Sequence, residues 1–397
     1  MKKHVVLAVS GLAALTLVAT GCAGSSSSSD ASNAAASESA TASTDTGVVA
    51  TPECGGTIAV MAPLTGADAS IGQEQLNFAK LAVDDFNTTN GGMYTILESD
   101  TKLDANEAKT QSGVIAAESA VIGVVGPAGS QEVTAVGPTF KDAGMGYVSA
   151  SATNPDLTNG SNPGFFRVVP TDAVQGPTDA AYIASTLGAK NVVIIEEETE
   201  YGKGLSASAL EALAADGVNV TSISVAESKK SYDDVIAKIP DNTDVVFVTF
   251  QIAAKSQQVA EGLIQAGKKA VVFGSDGSFS PDFKTPGAYV SSFAPDVTGI
   301  PAAASVAAAY TSAYGKFGTF GPPAYVAAQT ILQAAQRACK ASGASADRAG
   351  VLAELPNTNI VDSILGRNIT FNSQGDVDGA QFYIFKLDDA GNPVMTQ

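Results

Sequence analysis

The stretch that decides the fold runs from Val121 to Thr158, VIGVVGPAGSQEVTAVGPTFKDAGMGYVSASATNPDLT. Its opening run, Val121 to Val125, is wholly apolar, as in a parallel strand buried on both faces. Gly126-Pro127-Ala128-Gly129 reads as a tight turn, and Ser130 as the cap of a helix that carries Val133, Val136 and Phe140 on one face. A helix starting here gathers free amides, the positive end of its dipole and the Ser130 hydroxyl at one spot, which suits an anion such as a carboxylate. Tyr147-Val148-Ser149 is a second strand, running into Ala150-Ser151-Ala152-Thr153-Asn154-Pro155. Two neighbouring strand ends converge, and in open parallel sheets ligands settle in such a crevice. A plainer reading stays open, in which Ser130 only caps its helix and Thr153 only begins the turn before Asn154-Pro155.

The same alternation extends outward in both directions. Strands are read at Thr57 to Met61, Thr95 to Glu98, Asn191 to Ile195, Val218 to Val225, Asp244 to Thr249 and Ala270 to Phe273. Helical spacing separates several of them: Leu76, Ala79, Val83 and Phe86 share a face ahead of the stop Asn90-Gly91-Gly92, and Val259, Leu263 and Ala266 precede Gly267. Strand-helix alternation of this length implies parallel sheets in α/β lobes. The pattern breaks at Arg167 to Asp172 and again at Ala294 to Pro301, where a chain can cross between two lobes at hinges.

The chain has 397 residues, 45% of them apolar, enough for two lobes with separate cores. Met1-Lys2-Lys3-His4 followed by the apolar Val5 to Val18 reads as an export signal, too short to span a bilayer. Ala19-Thr20-Gly21-Cys22 then resembles a bacterial lipoprotein cleavage site, with Cys22 as the lipid-modified first residue of the mature chain. Residues 22–53 are nearly all Ser, Ala, Thr and Asp and form a tether; as a flexible coil the stretch from Gly24 to Ala50 spans roughly 30 Å. The formal charge of −18 becomes −20 once Lys2 and Lys3 leave with the signal, which disfavours nucleic acid and anionic membrane surfaces as partners. The only histidine is His4, within the leader. The mature chain therefore lacks imidazole for acid-base chemistry or metal ligation, and with no phosphate-binding glycine loop or nucleophile motif it is read as a non-enzyme without cofactor or metal.

At Pro63-Leu64-Thr65-Gly66, Leu81-Ala82-Val83-Asp84, Gly126-Pro127 with Ser130, Ser151-Ala152-Thr153-Asn154-Pro155, Phe166-Arg167, Gln175-Gly176, Tyr201-Gly202 and Gly274-Ser275-Asp276-Gly277, the chain resembles a known family. These segments, in register over most of residues 55–390, are similar to those of the leucine/isoleucine/valine-binding proteins that serve branched-chain amino-acid ABC importers. The resemblance implies a type I periplasmic-binding fold: two doubly wound lobes, joined by three crossings near Thr171, Pro295 to Gly299 and Phe371 to Gly375, that close over a ligand. Lobe one would comprise residues 54–171 and 299–371, including the helix that opens with Pro322-Pro323. Lobe two would comprise 172–298 and 372–397.

Residue by residue, the resemblance implies a carboxylate clamp at Ser130, Ser151 with Ala152, and Thr153, and an acidic partner for the ammonium at Asp276. Tyr201 would close over the ligand from lobe two and Phe250 would form a further wall, with Gln251 an alternative for that place. Ile71 stands where the family often has an aromatic. Cys54 and Cys339 are the two thiols left after Cys22 in an exported chain, so a disulfide between them is expected. Glu196-Glu197-Glu198 with Glu200 is read as a solvated loop in preference to a cation cage. The expected function is that of a monomeric, lipid-anchored receptor on the outer face of the cell membrane, which binds an aliphatic amino acid and hands it to an ABC permease. Two alternatives are a receptor of the same fold for amides, urea or aromatic acids, and a ligand-sensing ectodomain that works through a signalling partner.

Overall fold

The computed structural model describes residues 54–396; the expected export signal (1–21), the Cys22 lipidation site and the 22–53 linker lie outside the described residues. The chain opens with β1 (Gly55–Ala62), α1 (Ala69–Asn90), β2 (Met93–Asp100), α2 (Ala105–Ala117), β3 (Val121–Val125), α3 (Ser130–Asp142), β4 (Tyr147–Ser149) and β5 (Phe165–Arg167). These strands make one five-stranded parallel sheet in the order β2-β1-β3-β4-β5. Every residue of β3 is buried, which is why the strand reads as an unbroken apolar run. On α1 the expected stripe Leu76, Ala79, Val83 and Phe86 is buried, and the helix ends where Gly91 turns left-handed (φ 65°) and its amide bonds Asn87 O at 2.9 Å.

A second series follows: α4 (Asp172–Ala181), β6 (Asn191–Glu197), α5 (Glu200–Ala215), β7 (Asn219–Val225), α6 (Asp233–Ile236), β8 (Val245–Thr249), α7 (Ala253–Gln265), β9 (Val271–Gly274) and β10 (Tyr289–Ser292). Three helices come next, α8 (Ala304–Tyr314), α9 (Gly321–Ser342) and α10 (Arg348–Glu354), and then β11 (Tyr383–Leu387) and β12 (Pro393–Met395). The second sheet has seven strands in the order β12-β11-β10-β9-β8-β6-β7, parallel from β7 to β10 and antiparallel at β11 and β12. The chain therefore passes from the first sheet to the second after β5 and returns after β10, because α9 packs on α1, β3 and β4. It stays beside the first sheet as far as Asp376, which bridges Arg167, before it rejoins the second at β11.

Pro322 and Pro323 occupy the first turn of α9, where a missing amide costs nothing. Ile331 and Leu332 on that helix are fully buried, worth about 1.5–3 kcal/mol each. Gly123 in β3 makes the approach possible, since a Cβ there would lie 2.7 Å from Ile331 Cγ2. A disulfide joins Cys54, just before β1, to Cys339 near the end of α9, with 5.8 Å between Cα atoms. The eight strands read from sequence are all present. The four the sequence reading lacks are β5, β10, β11 and β12, each three to five residues long.

Candidate functional site

The first wall of the site is built by the β3-α3 and β4 loops. Gly126 holds φ +103°, and a Cβ there would meet Met61 O at 2.2 Å, so the turn can fold tightly against β1 only with glycine. Here the structure corrects the sequence reading: Gly129, not Ser130, is the cap of α3. Its amide donates to Glu132 Oε2 at 2.7 Å, the bond by which a glutamate three residues on satisfies the cap residue's own amide. Ser130 is thereby released to the first helical position, where its hydroxyl accepts from the Asn154 amide at 3.3 Å. The head of α3 still presents amides without helical acceptors.

Ser149 organises the neighbouring loop. Its Oγ donates to Pro127 O at 2.6 Å and accepts from the amides of Ser151 (3.3 Å) and Ala152 (3.0 Å). The Ser151 hydroxyl donates to Ala128 O and accepts from Gln75 Nε2, each at 2.9 Å. From below, the fully buried Arg167 donates from Nη1 to Ala152 O at 3.2 Å and to Asn154 O at 2.7 Å, from Nη2 to Thr158 Oγ1, and from Nε to Asp376 Oδ1 at 2.6 Å. One guanidinium therefore fixes the whole 152–158 loop.

The second wall comes from the β9 and α5 loops. Asp276 stands just past β9 and accepts from the Tyr201 hydroxyl at 2.5 Å. Tyr201 is placed in the first turn of α5, where Thr199 Oγ1 caps the helix by accepting from Gly202 N at 2.9 Å. Burial pushes the Asp276 carboxyl up to about 6, while hydrogen bonds from Tyr201 and Gln175 hold it from rising further. Behind it lie two more buried carboxyls, Asp172 and Asp179. Burial raises both well above the usual range, and the charge of Asp276 adds to the rise. The Thr153 hydroxyl lies beside the Asp172 carboxyl and partly offsets that rise, while Asp179 Oδ2 accepts from Ser291 at 3.0 Å.

The two walls enclose a cavity with about 40 Å³ of room for the centre of a water-sized sphere. Ser130 and Ser151 face it from one side, Tyr201 and Asp276 from the other. Of the other residues read from sequence, Ala152 and Thr153 are not on its surface: both are buried, the first with its amide and carbonyl already bonded. Phe250 is not on it either. Its ring is fully buried against Tyr232, 5.4 Å between centroids, and Gln251 takes the wall position, because successive residues past the end of β8 point in opposite directions. Ile71, Leu103 and Phe320 complete the enclosure, and of these only Ile71 stood out in the sequence.

Side chains also join the two walls directly. Gln131 and Gln251 pair their amides reciprocally at 3.1 and 3.0 Å, Thr134 Oγ1 donates to Glu200 Oε2 at 2.8 Å, and Asn154 Nδ2 donates to Glu200 O at 2.9 Å. The acidic run around Glu196 differs from the solvated loop expected: Glu197 is buried and ion-paired with Lys255. Among the described residues no helix is long and apolar enough to cross a membrane.

Residues 56–393 match the family described as periplasmic binding protein. The chain belongs to that family. It is 28% identical over 346 residues to the Leu/Ile/Val-binding protein homolog 3 of Brucella melitensis biotype 1, covering 84% of this chain and 91% of that one. Its fold is the type I periplasmic-binding fold. A leucine binding protein from Thermotoga maritima superposes with a TM-score of 0.79 at 22% identity, over 86% of this chain and 97% of that one. A branched-chain amino acid transporter substrate binding protein from Streptococcus pneumoniae, solved with isoleucine, gives 0.76 at 22% identity, over 86% and 99%. These relatives are substrate-binding proteins and not enzymes.

Proposed function

We propose that the chain captures an amino acid as a zwitterion between two closing lobes and delivers it to an ABC importer. The observation that carries this reading is a cavity with opposite poles: the head of α3 with Ser130 on one side, and Asp276 held by Tyr201 on the other. The carboxylate lies at the first pole and the ammonium at the second. Thr153 and the Ala152 backbone support the carboxylate clamp from behind, through Arg167 and Asp172. The lobes divide at 54–171 with 299–371 and at 172–298 with 372–397, the last crossing running on beside the first sheet as far as Asp376. The bonds of Gln131, Thr134 and Asn154 to the opposite wall are then contacts of the closed form, so a ligand that touches both walls favours closure by its differential affinity. The names of the relatives support an aliphatic, branched-chain side chain. Lipid attached to Cys22 and the 22–53 tether would hold the receptor at the outer face of the membrane, beside its permease.

Calorimetric titration with L-leucine and with its deaminated acid, 4-methylpentanoate, tests the reading. Leucine should bind at least tenfold more tightly. Equal affinities would remove the ammonium pole, and would favour a ligand class such as amides or aromatic acids.

A further inference from the structure

Helix α4 carries its polarity the wrong way round. Asp172, Gln175 and Asp179 stand at positions i, i+3 and i+7, a spacing that puts them on one face, and all three are fully buried, while Val174 is exposed to solvent. An apolar stripe there would stabilise the fold by its burial, whereas each buried polar side chain has to be matched by hydrogen bonds. Gly176 lets α4 lie close against α5, since a Cβ there would come 2.3 Å from Ser208 Oγ and 2.7 Å from Ala209 N. The helix with the polar face therefore leans on the helix that carries Tyr201.

The hydrogen bonds of this face run in one direction. Gln175 Nε2 donates to Ser291 Oγ of β10 at 2.9 Å, and Ser291 Oγ donates to Asp179 Oδ2 at 3.0 Å. A hydroxyl has a single proton to give, so a Ser291 engaged with Asp179 can only accept from Gln175. That fixes which end of the Gln175 amide faces this cluster: it is the NH2 group, which keeps a second N–H for another acceptor. Gln175 lies beside the Asp276 carboxyl and offsets part of its rise, alongside the Tyr201 hydroxyl at 2.5 Å from Oδ1. The titratable groups that face Asp276 are Tyr201 from α5 and Asp172 and Asp179 from α4. None of them brings a positive charge, so a buried Asp276 depends on hydrogen-bond donors to hold its ionised form.

Resting on the amino-acid reading above, we propose that Gln175 is a positioning residue that turns an N–H toward Asp276 and holds its carboxylate for the ligand ammonium, with Ser291 and Asp179 fixing which way that amide faces. Gln175 is not on the cavity surface, so it acts through Asp276. It stands in the first turn of α4, where the chain has just left the first sheet for the second.

Titration calorimetry of the full chain with L-leucine and 4-methylpentanoate, from pH 5 to 8, tests this for the wild type, Gln175→Met and Ser291→Ala. Methionine keeps the length of the side chain and removes the N–H. Alanine at 291 removes the hydroxyl that orients the amide, and it carries the test should thermal melting show that Gln175→Met does not fold. In each variant leucine affinity at pH 7.5 should fall by about fivefold or more, and affinity for 4-methylpentanoate should not fall. The acid loss of leucine binding should also set in at higher pH, because the amide favours the ionised carboxylate and Asp276 titrates higher without it. A residue that only supports the fold would weaken both ligands alike and leave the pH profile in place. That result, or an unchanged ratio of the two affinities in the folded variants, overturns the role of Gln175 while the amino-acid reading stands. A wild type that binds both ligands equally overturns the amino-acid reading as well.

Discussion

Replacing Asp276 by asparagine removes one charge from the site and little else. Asparagine keeps nearly the same volume and an acceptor oxygen for the Tyr201 hydroxyl, which lies 2.5 Å from Asp276 Oδ1. What changes is the contact with a ligand ammonium. A hydrogen bond to a charged group contributes about 1.5–3 kcal/mol against about 0.5–1.5 for a neutral one, so the variant should lose about 1–2 kcal/mol, or roughly 5- to 30-fold in affinity for L-leucine. Affinity for 4-methylpentanoate, which has no ammonium, should not fall. The wild type should also show a pH dependence that the variant lacks. With the carboxyl of the closed, empty site titrating at about 6, only about a tenth of such molecules carry the charge at pH 5. An ammonium favours the ionised form and lowers that pKa on binding, so affinity is full above about pH 7 and is lost as pH falls through 6, by about tenfold at pH 5. The buried neighbours Asp172 and Asp179 titrate well above the usual carboxylate range, and Tyr201 well above the usual tyrosine range. Isothermal titration of both ligands at pH 5 and 7.5 reads all of this. Equal losses for the two ligands, or a wild-type affinity flat across that range, would refute the assignment of the ammonium to Asp276.

Two further outcomes follow from contacts away from the poles. Gln131→Ala removes the reciprocal amide pair with Gln251 that spans the walls. At about 1 kcal/mol net per hydrogen bond, titration should show ligand affinity falling by about 5- to 30-fold, while the melting temperature of the ligand-free chain moves little; unaltered affinity would mean that the pair does not hold a closed form. Converting Cys54 and Cys339 together to serine opens a loop with a sequence separation of 285, which chain entropy values at about 5.6 kcal/mol. Calorimetric melting should show a drop of several degrees, and labelling of the unreduced wild type by a thiol reagent at these two positions would contradict the bond.

Some elements were written plainly in the chain. Val121 to Val125 is apolar throughout because a parallel strand is buried on both faces, and the stripe Leu76, Ala79, Val83 and Phe86 has the period of a helix packed on a sheet. Edge strands such as β5 and β12 were silent, since three residues carry no period of their own and neither directly follows a legible helix as Tyr147–Ser149 does. Motif resemblance located Ser130, Ser151, Tyr201 and Asp276 at the cavity, yet it did not separate Phe250 from Gln251. Which of two adjacent residues faces a cleft depends on where the strand pairing stops, and local sequence does not state that.

The sequence by itself determined the α/β alternation, the glycine and proline turns, the cysteine pair and the residue types able to hold a zwitterion, because each of these is a local or compositional constraint. Tertiary structure alone decided which groups meet. It gave the cap of α3 to Gly129 with Glu132 and freed Ser130, ran Arg167 under the loop of the first wall, and turned a buried polar face of α4 toward Asp276. Those facts depend on contacts between residues far apart in the chain, such as Arg167 with Asp376 and Glu74 with Gly318, where the geometry of packing, and not the order of residues, sets the distance.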